Sequence, residues 1–384
     1  DCQAVAGGCG VCGVRLPSGT EGLGKLPSAE MLEPQPGHGP SQELVTGATG
    51  LVGMYRLAWR LKRGWPTVAL RRAGSNVDRV AAFLEEELGE NFSQAWSELE
   101  WREADLSDVL ALEDAMAGCH RVFHAAGRVS FQTGDEAQLK AVNQVGTSNV
   151  VNAALGAGVR RLVHVSSVAA LGRTTEGGEA VHEESDWAEG VGASPYGVSK
   201  RAAEMEAWRA EAEGMELIVV NPTIILGDAR YDESSGMLYR RVAQARRYYP
   251  AGGNGFVGAA DLIRVMAALD EAADAGQEGI LGERFVVSSE DLSYRKLMGW
   301  VAQGLGVKAP SKPLAGWMLG LGWRLATLWG VLTRTPAQLT RDMAKNTRVH
   351  HQYNTSKVRA ALPGFAFTPI EEVLRETTRR GLSR

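Results

Sequence analysis

One glycine-rich stretch constrains the fold of this chain more than any other feature. It runs Val45-Thr-Gly-Ala-Thr-Gly-Leu-Val-Gly53, within and after a short apolar segment that begins at Glu43. Apolar residues at helical spacing follow it at Met54, Leu57, Ala58 and Leu61. A strand that turns through glycines into a helix presents free backbone N–H groups and the positive end of the helix dipole to an anion. The stretch therefore predicts a phosphate-binding turn for a dinucleotide, and an ordinary tight turn is the alternative.

The glycines of this turn have separate roles. Gly47 allows a tight turn, Gly50 lets the backbone approach a pyrophosphate, and Gly53 lets the helix pack closely on the strand. The residues predicted to bind the cofactor here are Thr46, Gly47, Thr49, Gly50, Leu51, Val52 and Gly53.

The second predicted strand indicates which dinucleotide is bound. It spans Pro66 to Arg72 and ends on Arg71 and Arg72, where an NAD enzyme places an acidic residue for the ribose hydroxyls. Guanidinium groups instead suit a 2′-phosphate through charge-assisted, often bidentate contacts. The sequence therefore predicts NADP, and NAD is the alternative if an arginine is only solvated at the strand end.

Strands and helices continue to alternate further along the chain. A helix is predicted from Val77 to Leu88, and strands from Leu99 to Glu103, Arg121 to His124 and Arg161 to Val165. Such alternation is typical of an α/β fold with a doubly wound parallel sheet and right-handed crossovers.

Two short segments follow these strands at the edge where open α/β sheets bind ligands. Asp105 and Leu106 follow the third strand and are placed to hydrogen-bond an adenine edge. Ala125, Ala126 and Gly127 follow the fourth strand. Their small size suits a backbone that must lie close to the cofactor.

The fifth strand delivers Ser166 and Ser167 to the same edge. Downstream, Tyr196 and Lys200 lie four residues apart, and therefore on one face of a helix predicted to begin near Tyr196. A tyrosine with its ordinary pKa of about 10 transfers a proton poorly at neutral pH, and a neighbouring ammonium such as Lys200 stabilises the phenolate. A serine hydroxyl on the same substrate oxygen completes a proton-transfer site. Such a site suits hydride transfer between a carbonyl or alcohol and a nicotinamide.

The composition excludes several classes of function. A net charge of −4 and a pI near 6.1 provide no basic excess, so no nucleic-acid partner is expected. Four cysteines provide no disulfide framework, which favours a reducing cytoplasm, and no secretory signal pattern opens the chain. Cys9 and Cys12 have the spacing of half a zinc site or of a redox pair, but the second pair of ligands is missing. No metal site is predicted, and His350 and His351 are expected at the surface.

Residues 1–40 differ in composition from the rest of the chain. They contain nine Gly and five Pro without a period, which is typical of unstructured segments. An unstructured extension is therefore predicted. Since the sequence starts at Asp1 and Met31 lies shortly before the first strand, the first thirty residues are expected to lie outside the working protein.

Several motifs occur together and in order. They are Thr46-Gly-Ala-Thr-Gly-Leu-Val-Gly53, Asp105-Leu106, His124-Ala-Ala-Gly127, Asn143-Gln-Val-Gly-Thr147, Ser166-Ser167, Tyr196-Gly-Val-Ser-Lys200 and Asn221-Pro222-Thr223. On these motifs the chain resembles the extended short-chain dehydrogenase/reductase family, within the NAD-dependent epimerase/dehydratase superfamily. The resemblance covers the chain from Glu43 to Arg384.

The resemblance implies a role for each catalytic motif. Ser167, five residues before Gly172 as in family members, is implied to be the catalytic serine. Tyr196 is implied to be the acid/base and Lys200 its activator and ribose-binding partner. Asn143 is implied to be the helix residue that supports the proton relay. The residues of the later motifs implied to bind the cofactor are Tyr196, Lys200, Asn221, Pro222 and Thr223.

The family fold implies a division of the chain. Residues 41–227 are expected to form an NADP-binding Rossmann domain, to which a strand near 284–287 returns. The strand order is expected to be 3-2-1-4-5-6-7, with Leu217 to Asn221 and Arg284 to Val287 as the last two strands. Residues 228–384 are expected to form mostly a smaller, largely helical part that binds the substrate.

Within the family, the sequence favours an oxidoreductase acting on a fairly apolar small molecule. Val168 and Ala169 stand where dehydratases carry an acidic pair, and arginines replace the acid that many NAD-holding epimerases show after the second strand. The stretch Asn221 to Gly227 resembles dihydroflavonol reductase, aldehyde reductase and 3-beta-hydroxysteroid dehydrogenase relatives. A nucleotide-sugar epimerase and a non-catalytic NADP sensor are the alternatives, and the intact serine, tyrosine and lysine weigh against the sensor.

The apolar stretch 314–332 raises the question of a membrane. It contains one charge, Arg324, and apolar residues at helical spacing that a packed helix or pocket wall explains without lipid. Contact with a membrane surface is the alternative, and its glycines disfavour a spanning helix. The expected partner is a small-molecule substrate, and a homodimer is left open.

Overall fold

Short apolar strands alternate with amphipathic helices along the chain. The computed structural model describes residues 41–382 apart from 133, 173–177, 186, 188–193, 229–235, 245–246, 319, 321–322 and 325–347. The predicted extension 1–40 lies outside the described residues. The described strands are β1 Glu43–Thr46, β2 Thr67–Arg71, β3 Glu100–Glu103, β4 Arg121–His124, β5 Arg161–Val165, β6 Glu216–Pro222, β7 Ile224–Leu226, β8 Tyr248–Tyr249, β9 Gly253–Gly258, β10 Glu283–Val287, β11 Glu290–Ser293 and β12 Lys312–Pro313. The described helices are α1 Leu51–Leu61, α2 Val77–Leu88, α3 Phe92–Glu98, α4 Val109–Met116, α5 Glu136–Leu139, α6 Gly146–Gly156, α7 Pro195–Ala212, α8 Gly236–Ala243, α9 Ala259–Asp274, α10 Tyr294–Gly304, α11 Ser356–Ala361 and α12 Ile370–Leu382.

Seven strands form one parallel sheet in the order β10-β6-β5-β4-β1-β2-β3. This is the predicted order 3-2-1-4-5-6-7 and confirms the Rossmann-type doubly wound fold. The predicted strands Glu43–Thr46, Arg121–His124 and Arg161–Val165 match at both ends. The order reverses between β1 and β4, so the carboxyl ends of these strands flank the crevice in which such sheets bind ligands.

Helices cover both faces of this sheet. Leu44 of β1 packs with side chains of α4, α6 and α7, whereas its neighbour Val45 packs with α1 and α9. Both side chains are fully buried. Complete burial of such a side chain contributes about 1.5–3 kcal/mol to the stability of the fold. Because helices bury both faces of the sheet, the central strands are apolar along most of their length instead of alternating between apolar and polar residues.

Charged side chains close the amino-terminal edge of the sheet, opposite the ligand crevice. Glu43 is fully buried, accepts a hydrogen bond from Nε of Arg56 at 2.8 Å, and lies 3.3 Å from Nη1 of Arg60. Burial by itself raises the pKa of Glu43, but the two arginines outweigh it and lower that pKa to about 2. The carboxylate therefore stays ionised and ties α1 to β1.

Two small sheets add to the C-terminal part, which the sequence predicts to be largely helical. One contains β11, β9 and β7, and the other contains β12 and β8. β9 pairs antiparallel with β11 and parallel with β7. Phe256 of β9 packs with Leu297 of α10 and Leu374 of α12 in a separate core. The sequence did not predict these strands because they are short and β9 is rich in glycine.

The apolar stretch 314–332 lies largely outside the described residues. Of its described side chains, Trp317 is 72% exposed. Across the described ranges, no helix is both long enough and apolar enough to cross a membrane. The packing of this stretch stays a prediction.

The expectation that His350 and His351 lie at the surface is wrong for His351. His350 is exposed, whereas His351 is 6% exposed, and its backbone amide donates to the carbonyl oxygen of Gly253 at 3.2 Å.

Candidate active site

Local sterics explain the glycines of the turn after β1. Gly47 has a φ of 65°, and a Cβ there would lie 2.7 Å from the backbone nitrogen of Ala126. A Cβ on Gly53 would lie 2.1 Å from the carbonyl oxygen of Gly47. The amide of Gly50 donates to that same oxygen at 2.8 Å, and α1 begins with the next residue. The strand, turn and helix thus approach more closely than side chains permit, which is the shape a pyrophosphate-binding turn requires. The other predicted residues of this turn are Thr46, Thr49, Leu51 and Val52.

β2 ends beside the arginines predicted to select the cofactor. Nη2 of Arg71 lies 3.5 Å from Oε2 of Glu103 on β3, and both side chains are exposed. The backbone amide of Arg72 donates to Oγ of Ser75 at 3.1 Å. Arg71 therefore forms an ion pair with a residue of the neighbouring strand. This ion pair is exposed enough for a ligand to compete with it.

Asp105 and Leu106 follow β3 at the same edge of the sheet. One carboxylate oxygen of Asp105 accepts hydrogen bonds from the hydroxyl of Ser107 at 2.6 Å and from its amide at 2.9 Å. These bonds, with a smaller contribution from Arg72, hold the pKa of Asp105 below its usual value. The carbonyl oxygen of Leu106 accepts from Nδ2 of Asn149 at 2.7 Å. The contact of this pair with an adenine edge stays a prediction.

Ala125, Ala126 and Gly127 follow β4 and run beside the side chains predicted to transfer a proton. A Cβ on Gly127 would lie 3.4 Å from Oδ1 of Asn143 and 4.0 Å from Nζ of Lys200. The structure therefore brings this segment and the two catalytic candidates together.

The start of α7 brings Tyr196 to Ser167. Oγ of Ser194 caps the helix by accepting from the amide of Gly197 at 3.1 Å. A Cβ on Gly197 would lie 2.7 Å from the carbonyl oxygen of Ala169, so the helix begins in close contact with the segment after β5. This contact places the residue after Tyr196 against the segment that carries Ser167, and the Ser167 hydroxyl is near enough to lower the Tyr196 pKa.

The ionisation of the tyrosine and the lysine differs from the sequence-based expectation. Burial raises the pKa of Tyr196, and the hydrogen bond from Ser167 opposes that rise. Nζ of Lys200 donates to the carbonyl oxygen of Val165 at 2.8 Å. Burial lowers the pKa of Lys200 to about 8, and Glu204 opposes that fall. Since the ammonium is directed to a backbone carbonyl, it does not lower the Tyr196 pKa here, and the phenol is protonated at neutral pH.

Asn143 lies on the π-helical turn Lys140–Val145 between α5 and α6. Its Nδ2 donates to Oγ of Ser199 and to the carbonyl oxygen of Arg128, each at 2.9 Å. Its Oδ1 accepts from the amide of Arg128 at 2.7 Å. Oγ of Ser199 donates in turn to the carbonyl oxygen of Tyr196 at 2.8 Å. Asn143 therefore fixes the segment after β4 to the helix that carries the tyrosine.

His124, at the end of β4, is a supporting residue to which sequence reasoning gave no role of its own. Its Nδ1 lies 2.7 Å from Oγ1 of Thr46, and its Nε2 lies 3.0 Å from Oγ1 of Thr147. The Thr147 hydroxyl donates to the carbonyl oxygen of Asn143 at 2.6 Å, and Thr46 accepts from the amide of Ala126 at 3.2 Å. The proton of His124 therefore belongs on Nε2, and burial lowers its pKa to about 3, so it stays neutral. The sequence signal that could have indicated this supporting role is a polar residue at the end of an apolar strand.

Glu204 is a second such residue. It lies four residues after Lys200 on α7 and is 2% exposed. Its Oε2 accepts hydrogen bonds from Oγ of Ser166 at 2.5 Å and from Nδ2 of Asn221 at 2.8 Å. The sequence signal that could have indicated its supporting role is a glutamate one helical turn beyond the lysine.

β6 ends on Asn221 and Pro222, and Thr223 follows it. All three residues are buried. Nδ2 of Asn221 also donates to the carbonyl oxygen of Ser167 at 3.1 Å, and Oγ1 of Thr223 donates to the carbonyl oxygen of Val287 at 3.3 Å. They support the backbone around the serine, and their direct contact with a cofactor stays a prediction.

An aromatic side chain next to the tyrosine was also missed. The rings of Phe131 and Tyr196 meet edge to face with their centroids 5.5 Å apart, and Phe131 is 44% exposed. Oγ of Ser130 donates to Oδ2 of Asp135 at 2.6 Å and accepts from the amide of Gln132 at 3.2 Å. The segment that carries Phe131 is therefore held in place on both sides of the ring.

Comparison with known proteins agrees with this geometry. The model of the NAD dependent epimerase/dehydratase family matches residues 43–281. A putative dihydroflavonol 4-reductase from a Synechocystis strain is 29% identical over 82% of this chain and 87% of its own length. Sterol demethylase protein B of Methylococcus capsulatus is 30% identical over 70% of this chain and 75% of its own length. The crystal structure of gox2253 superposes with a TM-score of 0.71 at 25% identity, over 89% of this chain and 98% of that one.

Proposed function

Since the chain belongs to the NAD dependent epimerase/dehydratase family, we propose that it is an NADP-dependent oxidoreductase. It reduces a carbonyl group, or oxidises the matching alcohol, on a fairly apolar small molecule. The observation that carries this proposal is the close contact between the start of α7, which carries Tyr196 and the buried Lys200, and the segment that carries Ser167. These side chains lie at the carboxyl ends of the parallel strands, where they suit proton transfer to or from a substrate oxygen.

The turn after β1 and the end of β2 fit the cofactor. Gly47 and Gly53 let the strand, turn and helix approach closely, and the amides at the start of α1 suit a pyrophosphate. Arg72 supplies a guanidinium for a 2′-phosphate. Arg71 contributes less to binding this phosphate, because it also forms an ion pair with Glu103. When bound, the nicotinamide supplies or accepts the hydride.

The chain's own residues handle the proton. Tyr196 donates its phenolic proton to the substrate oxygen during reduction, since its raised pKa keeps that proton in place at neutral pH. The hydroxyl of Ser167 holds the same oxygen by a hydrogen bond. Lys200 lies one turn away and donates to the carbonyl oxygen of Val165, where the family resemblance implies that it contacts the cofactor ribose. Oxidation uses the same groups in reverse.

The character of the substrate follows from Phe131. A half-exposed ring held against Tyr196 offers a flat apolar surface beside the proton donor. The name of the Synechocystis relative, a putative dihydroflavonol 4-reductase, supports a ring-bearing carbonyl compound. An aromatic or alicyclic ketone or aldehyde is therefore the proposed substrate class.

Consumption of NADPH tests this function. The purified protein is expected to oxidise free NADPH stoichiometrically when an aromatic or alicyclic carbonyl compound is added. Tyr196→Phe should abolish turnover and leave the dissociation constant of NADPH within a few-fold, because only the transferable proton is removed. Tyr248→Phe, at a partly exposed tyrosine on β8, serves as the matched control and should behave as the wild type. Undiminished activity of Tyr196→Phe would reject the proton relay.

Cofactor retention separates this proposal from an epimerase. An epimerase keeps its cofactor through both half-reactions, whereas a reductase releases it every cycle. The protein is therefore expected to purify with little bound nicotinamide. A full equivalent of tightly held NAD, together with interconversion of nucleotide-sugar epimers and no net redox change, would transfer the assignment to the epimerase.

A further inference from the structure

Glu204 is a fully enclosed carboxylate that faces the catalytic end of the sheet without touching the ligand crevice. Its Oε2 accepts from Oγ of Ser166 at 2.5 Å and from Nδ2 of Asn221 at 2.8 Å. Its Oε1 accepts from Nη1 of Arg284 on β10 at 3.1 Å and from Nε1 of Trp208 at 3.4 Å. Four donors around this buried carboxylate fix it in one orientation.

Two of these donors connect Glu204 to the catalytic serine. Ser166 directly precedes Ser167, so its hydrogen bond to the carboxylate positions the backbone at this point. Nδ2 of Asn221, which donates to Glu204, also donates to the carbonyl oxygen of Ser167 at 3.1 Å. Loss of the carboxylate would therefore free the segment that presents the serine hydroxyl.

Glu204 also favours the charged form of Lys200. The two residues are one turn apart on the same face of α7. Burial lowers the pKa of Lys200 to about 8, and Glu204 raises it against that effect. The neighbouring strands contribute His124 and His164, and burial lowers the pKa of both, so neither carries a charge at neutral pH.

Arg284 is a second cationic residue next to the Glu204 carboxylate. Its Nη1 lies 3.1 Å from Oε1 of Glu204, and its side chain is 26% exposed. A neutral residue at position 204 would leave both Arg284 and Lys200 without this carboxylate. Lys200 would then give up its proton more readily, since burial disfavours an ammonium that has no anion near it.

We propose that Glu204 is a positioning residue of the proton-transfer site: its buried carboxylate holds the backbone that carries Ser167 and, one helical turn from Lys200, favours the charged form of that lysine. This inference rests on the proposed role of Lys200. It adds a residue that acts only through others and contacts neither substrate nor cofactor.

The ionisation of Lys200 gives a direct test that needs neither substrate nor cofactor. The protein is labelled with ¹³C-lysine, and the Cε signal of Lys200, assigned by its absence from Lys200→Met, is followed by NMR as the pH changes. In the wild type the transition is expected near pH 8. In Glu204→Gln it should fall by about one pH unit or more. Glu206→Gln is the matched control, because Glu206 lies on the same helix and pairs with Arg209 away from the site.

Cofactor affinity gives the second readout. If protonated Lys200 binds the ribose, NADPH affinity falls as pH rises through the lysine transition. Glu204→Gln should therefore bind NADPH about tenfold more weakly than the wild type at pH 8, and within about twofold of it at pH 6. Glu204→Asp keeps the charge and should restore most of the alkaline affinity, whereas a purely structural loss would weaken binding equally at both pH values.

The outcomes separate this inference from the proposed function. A wild type that turns over no carbonyl compound would defeat the proposed function, but the lysine titration would still decide the role of Glu204. A transition that stays at the wild-type pH in Glu204→Gln overturns the inference. Should Glu204→Gln fail to fold, the double variant Glu204→Gln/Arg284→Gln removes both members of this ion pair and is expected to show the same lowered transition. Failure of both variants to fold would assign Glu204 to the fold alone and also overturn it.

Discussion

A methyl group on Gly197 would lie 2.7 Å from the carbonyl oxygen of Ala169. The obstacle is backbone, so it cannot rotate away as a side chain can. The contact joins the first turn of α7, which carries Tyr196, to the segment that carries Ser167. The distance between the proton donor and the serine is therefore set by a residue that has no side chain.

Gly197→Ala is expected to impair chemistry more than folding. The added methyl group must push α7 away from the serine segment, and a displacement of about 1 Å at a reacting group costs up to about a hundredfold in rate. We expect kcat to fall at least about tenfold, with NADPH affinity within about threefold of the wild type, both measured at steady state and by fluorescence titration. Gly299→Ala on α10 is the matched control, since a Cβ there meets nothing within 4 Å. An unchanged kcat in Gly197→Ala would show that the contact does not position the tyrosine.

The arginines after β2 should contribute unequally to cofactor choice. Arg71 lies 3.5 Å from Glu103, whereas Arg72 follows the strand without that ion pair. Arg72→Ala is expected to weaken NADPH binding about tenfold and to leave NADH binding nearly unchanged, because one charge-assisted contact with a phosphate is lost. Arg71→Ala should have a smaller effect on the same ratio. Equal affinities of the wild type for NADPH and NADH in a direct titration would count decisively against NADP.

Phe131 should determine how well ring-bearing substrates bind. Its edge-to-face contact with Tyr196 leaves 44% of the residue exposed. Phe131→Ala is expected to raise KM for an aromatic carbonyl compound by about two- to tenfold, as the loss of an aromatic pair implies. Phe131→Leu keeps the apolar surface without the ring, and its KM should lie between the two. The KM for a short aliphatic aldehyde should change little, and a matching rise there would show that the variant disturbs the site as a whole.

The sequence predicted the central sheet because its signals are local. The apolar runs at Glu43–Thr46, Arg121–His124 and Arg161–Val165 lie in strands whose residues are mostly buried. Such runs can be recognised in the sequence without knowing which strands pair with them. The order of the strands followed from the family resemblance. The small sheets of the C-terminal part were missed, since strands such as Tyr248–Tyr249 are too short to show a period.

The side chains that support the site depend on contacts between distant elements. Nothing in the sequence shows that His124 lies between Thr46 and Thr147. Nor does it show that Glu204 accepts hydrogen bonds from two strands, from the residue after β5 and from its own helix. The same holds for ionisation. A lysine four residues from a tyrosine predicts a lowered tyrosine pKa, but the fold directs the ammonium to a backbone carbonyl and burial then raises that pKa.

The ion cluster at the opposite edge of the sheet should govern stability at acidic pH. The pKa of Glu43 is about 2 in the folded chain, against 4.5 for the free group. Because the folded pKa is the lower one, the ionised carboxylate stabilises the fold fully above pH 4.5, and this contribution is lost as the pH falls toward 2. Glu43→Gln should lower the free energy of unfolding at pH 7 by about 3–5 kcal/mol, since it leaves the buried Arg56 only the longer ion pair with Asp270, at 4.0 Å.

Urea denaturation of Glu43→Gln and the wild type at several pH values measures this contribution. The difference between their free energies of unfolding is expected to be constant from pH 7 to about pH 5 and to shrink below that. The reason is that Glu43 of the unfolded wild type takes up a proton there while the folded chain does not, and the variant has no such group. Glu100→Gln is the control, since Glu100 also pairs with an arginine but is exposed, and it should cost at most about 1 kcal/mol at any pH. A difference between Glu43→Gln and the wild type that stays constant down to pH 3 would mean that packing, rather than the charge of Glu43, accounts for its effect.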